Sequence, residues 1–452
     1  MFTAGTSPSV DRSPARRPNE RRARGARCRA GGGSRYPRAV SSHPPLHHRL
    51  RRVVGRDPEE SHRAATPLEL LYDLTFVIAF GATSTQLAHA IAEGHTASGL
   101  AAFAFAGFAV GWAWINYSWW ASAFDTDDWF LRLATLVQMV GVLILSLGVP
   151  DVFASIAHGE LDNGILVAGY VIMRLGLLPL WIRVAVQDPN HRRTAISYAV
   201  SISAAQIGWV TVAILHLPIW ATVVAIVPLY VIEIAGPYAA ERKFGTIPWH
   251  PHHIAERYGL LVIITLGEVI LGTATTISAV VHEHGWSLDA ALVGFAGTAL
   301  AFALWWVYFM IPSGPVLARY RERAWVWGYG HLVVFGALVA TGAGLDVAAM
   351  ATEGESELGA VEVAGAVIIP VAVLLLAFFT LYSLLLSAFD PFHVLLFGLA
   401  FVLLAAALAA AAAGAPLSVW LGLVVLAPTV TIVGYETIGH RHQAARLAQL
   451  LA

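Results

Sequence analysis

The residues with chemistry to do are ionisable groups set in long apolar runs, and the stretch His250–Glu268, HPHHIAERYGLLVIITLGE, shows them best. His252 and Glu256 are four apart and His253 and Glu256 three apart, so on a helix these side chains share a face. Pro251 suits a first helical turn, where its missing N–H is not needed. Glu268 follows Glu256 by twelve residues, roughly 18 Å along a helix. If Glu256 lies at a membrane interface, Glu268 lies deep in hydrocarbon, where an ionisable residue is costly and marks function. His250, His252, His253 and Glu256 carry donor atoms suited to zinc or another transition metal. The proline between two of them and the helix start favour capping and packing instead.

Other polar groups sit at similar depth in other apolar runs. Glu69 and Asp73 are four apart on one face, Arg174 is central in GYVIMRLGLLP, and Gln138, Glu233 and His331 each interrupt a hydrophobic segment. Acids outnumber the one arginine at these depths, and such acids bind and release protons rather than remain as bare charges. Asp73, Gln138, Arg174, Glu233, Glu268 and His331 therefore read as a buried polar site for protons lining one inward-facing cavity. Glu69, His250, His253, Glu256 and Arg257 read as its cytoplasmic gate. The competing reading pairs Arg174 with Asp73 or Glu268 simply to fix helix packing. The turn with Asp125, Asp127 and Asp128 either holds a divalent cation or caps the next helix, and capping is the commoner use. Trp112, Trp114, Trp119, Trp120, Trp305 and Trp306 read as interfacial belts and helix contacts.

Only long membrane helices position such residues. Hydrophobic residues make up 57% and charged residues 13%, with a mean hydropathy of +0.65, against roughly 25% charged in soluble domains. Runs of about 20 residues carry one charge or none, the length that spans a bilayer. This predicts an all-α bundle with twelve spans at 68–92, 98–120, 130–149, 164–186, 195–215, 218–238, 254–281, 288–311, 325–349, 360–387, 392–413 and 416–437. The transmembrane domain is expected over 66–438, followed by a short cytoplasmic tail at 439–452. Arginines recur in alternate links and acids in the others, which places both termini in the cytoplasm of an inner membrane. Twelve spans permit a parallel six-plus-six repeat; ELLYDLTFVIAFG in the first span echoes ERYGLLVIITLG in the seventh.

Residues 1–65 hold 15 of the 28 basic residues amid Pro, Gly and Ser, and are expected to be a disordered tail that helps orientation rather than a nucleic-acid site. The single cysteine, Cys28, excludes an intrachain disulfide. No GxxxxGK[ST], GxSxG, HExxH or GxGxxG signature is present, and nothing in the sequence requires a cofactor.

The stretches LELLYDLTFVIAFG, SWWASAFDTDDWFLRLATLVQMVGVLILSLGVP, YVIMRL, DPNHRRTAISYAV, PWHPHHIAERYGLLVIITLGEVIL, WWVYF and YGHLVVFG occur in this order. This set resembles the bacterial low temperature requirement A family. The resemblance spans most of residues 66–340 and implies a multi-spanning membrane protein without an established activity. It marks Glu69, Asp73, Asp125, Asp127, Asp128, Arg132, Gln138, Arg174, His250, His253, Glu256, Arg257, Glu268 and His331 as motif positions. The chain departs from the family pattern at Leu71-Tyr72, at Val269 and at Met310-Ile311. Its expected function is proton-coupled transport of a small solute or ion across a lipid bilayer. Membrane-embedded enzymology on a lipid or lipid-linked group, and a non-catalytic scaffold or membrane-stress role, are the alternatives.

Overall fold

A computed structural model describes residues 50–61 and 63–452, and Cys28 with most of the basic tail lies outside them. The helices are α1 (Pro67–Ala92), α2 (Thr96–Phe124), α3 (Trp129–Leu147), α4 (Val149–Ala157), α5 (Gly164–Gln187), α6 (Arg192–Leu215) and α7 (Ile219–Phe244). There follow α8 (Pro251–His284), α9 (Leu288–Phe309), α10 (Ser313–Arg319), α11 (Ala324–Thr352), α12 (Ala360–Leu386), α13 (Pro391–Ala412), α14 (Leu417–Gly434) and α15 (His440–Leu451). No strand occurs among the described residues. Twelve of these helices or helix runs are long and apolar enough to cross a membrane. They coincide with the twelve expected spans, because uninterrupted apolar length is the property that both sequence and structure report.

The ends are less simple than the apolar runs suggest. The third span continues through α4, and the last runs through a π-helical turn (Tyr435–Gly439) into α15. Residues 439–451 are therefore helical, and Gln443 donates to the Met310 carbonyl at 3.0 Å while Arg446 donates to that of Leu386 at 3.1 Å. Both halves of the chain repeat some neighbour relations: α1 packs on α2 and α3, as α8 packs on α9 and α11. The most extensive helix interface is that of α8 with α11.

The described part of the N-terminal segment corrects the expectation of an unstructured tail reaching residue 65. Residues 50–61 and 63–66 form an extended strap across one end of the bundle. Val53 is fully buried and its N–H donates to Gln187 Oε1 at 2.8 Å. The Gly55 N–H donates to Asp188 Oδ2 at 2.8 Å, and the Arg56 N–H to the Ala123 carbonyl at 2.9 Å. Arg63 passes beneath the surface and donates to the Ala121 carbonyl at 2.8 Å. Composition missed this because extended backbone needs only acceptors on a neighbouring surface, not a hydrophobic core of its own.

Large side chains divide by environment. Leu74, Ile78, Ile207, Leu271, Phe295 and Val402 face outward, whereas Trp112, Trp114 and Trp120 are fully buried. Those tryptophans are internal contacts rather than an interfacial belt.

Candidate functional site

Helix α1 opens with a capping box: Thr66 accepts from the Glu69 N–H, and Glu69 Oε2 accepts from the Thr66 N–H at 2.8 Å. This fixes Glu69 with its other oxygen free to turn inward. Helix α8 is capped by His250, whose Nδ1 accepts from the His253 N–H at 3.2 Å. Spacings of four on both helices then bring Glu69 and Asp73 against His253 and Arg257. Arg257 Nη1 lies 2.7 Å from Glu69 Oε1. Its Nη2 and Nε donate to Asp73 Oδ1 and Oδ2 at 2.6 and 3.1 Å, a two-pronged pairing. Trp114 Nε1 also donates to Asp73 Oδ1 at 2.6 Å, and His253 Nε2 sits 3.2 Å from Glu69 Oε1.

A second buried pair lies elsewhere. Glu233 of α7 is 3.5 Å from Arg174 of α5 and accepts hydrogen bonds from Trp112 Nε1 at 2.7 Å and the Tyr170 hydroxyl at 3.1 Å. Arg174 donates to the Tyr170 hydroxyl as well. Arg174 thus pairs with neither Asp73 nor Glu268, and Arg257, expected at an interfacial gate, is the buried counter-ion of Asp73. The reason is topological: α5 packs against α3 and α6, whereas α8 packs against α1 and α11. Spacing within one helix carries no information about which helices adjoin.

Glu268 belongs to neither pair. It is 6% exposed, at the middle of α8. A Cβ placed on Gly342 of α11 would lie 2.7 Å from the Glu268 carbonyl oxygen, and one on Gly81 of α1 would lie 3.4 Å from Oε1. Glycines therefore let three helices close around this carboxyl. Ser84 is the neighbouring hydroxyl and Asp346 the neighbouring charge. Among the described residues no Arg, Lys or His forms an ion pair with Glu268 or Asp346. Eleven residues of α8, roughly 16 Å, separate Arg257 from Glu268; Leu261 on that stretch is buried, as are Phe76 and Phe80 of α1 between Asp73 and Gly81.

His331 and Gln138 also leave the expected single cavity. His331 Nδ1 meets the Trp327 carbonyl at 2.7 Å and must donate; in the neutral ring Nε2 then accepts from the Tyr308 hydroxyl at 3.0 Å. That is the neutral tautomer, boxed by Tyr258, Trp327 and Phe335. Gln138 donates to the Ala134 carbonyl at 3.4 Å and packs beside Gly176 of α5. The polar groups thus form separate clusters rather than one inward-facing cavity.

The expected gate is divided as well. Glu69, His253 and Arg257 are inside, whereas His250 and Glu256 line an open cleft of about 890 Å³ with Glu60, Arg63, His252 and Arg321. His250 Nε2 contacts the Glu60 carbonyl at 2.8 Å, so the strap forms one wall. Burial holds the His250 imidazole below its ordinary pKa. Because the histidines turn to different partners, no three His, Cys, Asp or Glu side chains assemble as a metal-holding set among the described residues.

In the acidic turn, Asp128 caps α3, accepting from the Leu131 N–H at 3.0 Å, and pairs with Arg183. Asp127 adopts φ +44° and reaches Arg132 at 2.8 Å. Asp125 accepts from the Asp127 N–H at 2.7 Å. Burial, reinforced by the charge of Glu69, pushes the Asp125 carboxyl up to about 6. Arg183 and Asp346 were missed from sequence because each sits in the last turns of an apolar run, where charge passes for a helix end.

The twelve spans and these intramembrane charge clusters define a polytopic helical membrane protein. Residues 64–428 match the family model described as bacterial low temperature requirement A protein (LtrA), and the chain belongs to that family. It is 24% identical over 319 residues to a protein of Rhizobium meliloti (strain 1021) called uncharacterized protein RA0937, covering 65% of this chain and 71% of that one. No solved structure matches it.

Proposed function

We propose that this protein is a proton-coupled transporter of a small solute or ion in the bacterial inner membrane, with both termini cytoplasmic. The arginine-bearing links on the strap side support that orientation. The observation that carries the reading is the contrast between Glu268 and the other deep acids. Asp73, Glu69 and Glu233 are each held by an arginine. Glu268 is also buried, and among the described residues it has no ion-pair partner. A bare charge at such depth costs at least ~2.5–3.5 kcal/mol, and taking up a proton removes it. The carboxyl then alternates between protonated and ionised forms as the surrounding helices open it to water.

The test is pH-jump proton uptake by the full chain in liposomes, wild type beside Glu268→Gln. Loss of uptake with unchanged thermal stability supports the reading. Equal uptake in both proteins sinks it. The scaffold reading keeps a specific observation of its own, since Arg257 ties α8 to α1 and α2, and Arg174 ties α5 to α7. It predicts that neither protein takes up protons.

A further inference from the structure

Resting on the transport reading, we propose that Asp346 is the relay acid through which protons reach Glu268 from the face opposite the strap. Asp346 lies on α11 six residues before its end at Thr352, roughly 9 Å from that face. It is half-buried, whereas Glu268 is almost wholly enclosed. It stands one helical turn beyond Gly342, the point where α11 touches the Glu268 backbone. Thr275, seven residues along α8 from Glu268, donates to Asp346 Oδ1. The two carboxyls therefore occupy successive levels of the α8–α11 seam, with Asp346 nearer the open end.

The charged and titratable surroundings fit a relay. From α1, His89 is close enough to act on the Asp346 charge, and it is exposed with Nδ1 on the Thr85 carbonyl at 2.8 Å. From α8, Glu268 feels the charge of Asp346, and among the described residues neither acid has an ion-pair partner. Toward the strap, the next ionisable groups on α8 are Tyr258 and Arg257, with the buried Leu261 between them and Glu268. The seam is thus graded from an exposed histidine through a half-buried acid to a buried one. In the step itself, a proton on Asp346 passes across bridging water to the Glu268 carboxylate. Asp346 becomes the carboxylate and is reprotonated from the opposite face.

The experiment compares wild type, Asp346→Asn, Asp346→Glu and Glu268→Gln as full chains in liposomes. It measures uptake after acidifying the face opposite the strap, with and without added azide as a small mobile acid. Asp346→Asn should slow uptake by about 100-fold or more, the scale of a lost proton-transfer group. Azide and the glutamate variant should both restore it. If Glu268→Gln takes up protons normally, the transport reading itself fails. If Glu268→Gln is inactive while Asp346→Asn matches wild type, the relay is overturned and transport stands. Slow uptake that neither azide nor glutamate restores makes Asp346 a packing residue and also overturns the relay.

Discussion

Glu69 and Arg257 meet at 2.7 Å across the α1–α8 boundary, with side chains 2% and 0% exposed. Arg257 also grips Asp73, so one guanidinium pairs with both acids that open α1. Removing one partner of such a buried pair leaves an uncompensated charge, at a cost of about 3–5 kcal/mol. Arg257→Ala should therefore lower the unfolding midpoint in detergent sharply, because two carboxylates are stranded. Asp73→Asn should cost less, since Arg257 keeps Glu69. Equal losses from the two changes would show that Asp73, not Glu69, is the essential partner.

Glu233 and Glu268 are both buried acids, yet their neutral variants should behave in opposite ways. Glu233→Gln strands Arg174, whose nearest other partner is the Tyr170 hydroxyl, and should destabilise by about 3–5 kcal/mol. Glu268→Gln replaces a carboxyl that a proton keeps neutral with a neutral amide of the same shape, and should change stability by less than about 1 kcal/mol. Thermal unfolding of both variants in one detergent makes the comparison. A marked loss at Glu268→Gln would mean that a counter-charge reaches it.

The helices and the polar residues facing their interior were legible in the sequence, because apolar length and four-residue spacing are local properties. The matched pairs Glu69/Asp73 and His253/Arg257 announce two faces, but not that the faces meet. That depends on α1 lying beside α8, a relation set by packing across 184 positions of chain. Arg174 shows the same limit, since its acid, Glu233, is brought to it by α7. His331 looked like a proton carrier because a lone histidine in an apolar run has that appearance. Its tyrosine and carbonyl partners, supplied by other turns and helices, give it a neutral packing role. The strap was illegible for a different reason: its stability resides in backbone N–H groups, which have no residue-type signature.

Asp125 gives the stability curve a predictable slope. The unfolded carboxyl titrates near 3.8 and the folded one near 6. Between those values the folded protein retains a proton that the unfolded chain has lost, so raising pH through this window reduces stability. Below 3.8 both states are protonated and above 6 both are ionised, so the contribution is flat outside it. The total is at most about 3 kcal/mol. Asp125→Asn should remove this decline, and its advantage over wild type should grow from pH 4 to pH 6 and then stay level. Unfolding midpoints measured from pH 4 to pH 8 check it, and parallel curves for the two proteins would refute the shift.

The strap should come free when its acceptors are removed. Asp188 accepts the Gly55 N–H at 2.8 Å and contacts His191 Nδ1 at 2.7 Å. The site is tight, since a Cβ on Gly55 would lie 2.7 Å from His191 Cε1 and from Pro248 Cγ. Asp188→Ala deletes the acceptor, while Gly55→Val fills the space that lets the backbone approach. Either change should expose the bonds after Arg51, Arg52 and Arg56 to trypsin. A single backbone hydrogen bond contributes about 1 kcal/mol net, so Asp188→Ala should speed cleavage by about fivefold, and Gly55→Val by more because it displaces the whole turn. The cleavage must be scored on folded protein, with the unfolding midpoint of the helical domain held as a control. Unchanged cleavage in both variants would mean that Val53, Arg63 and the His250–Glu60 contact hold the strap without this turn.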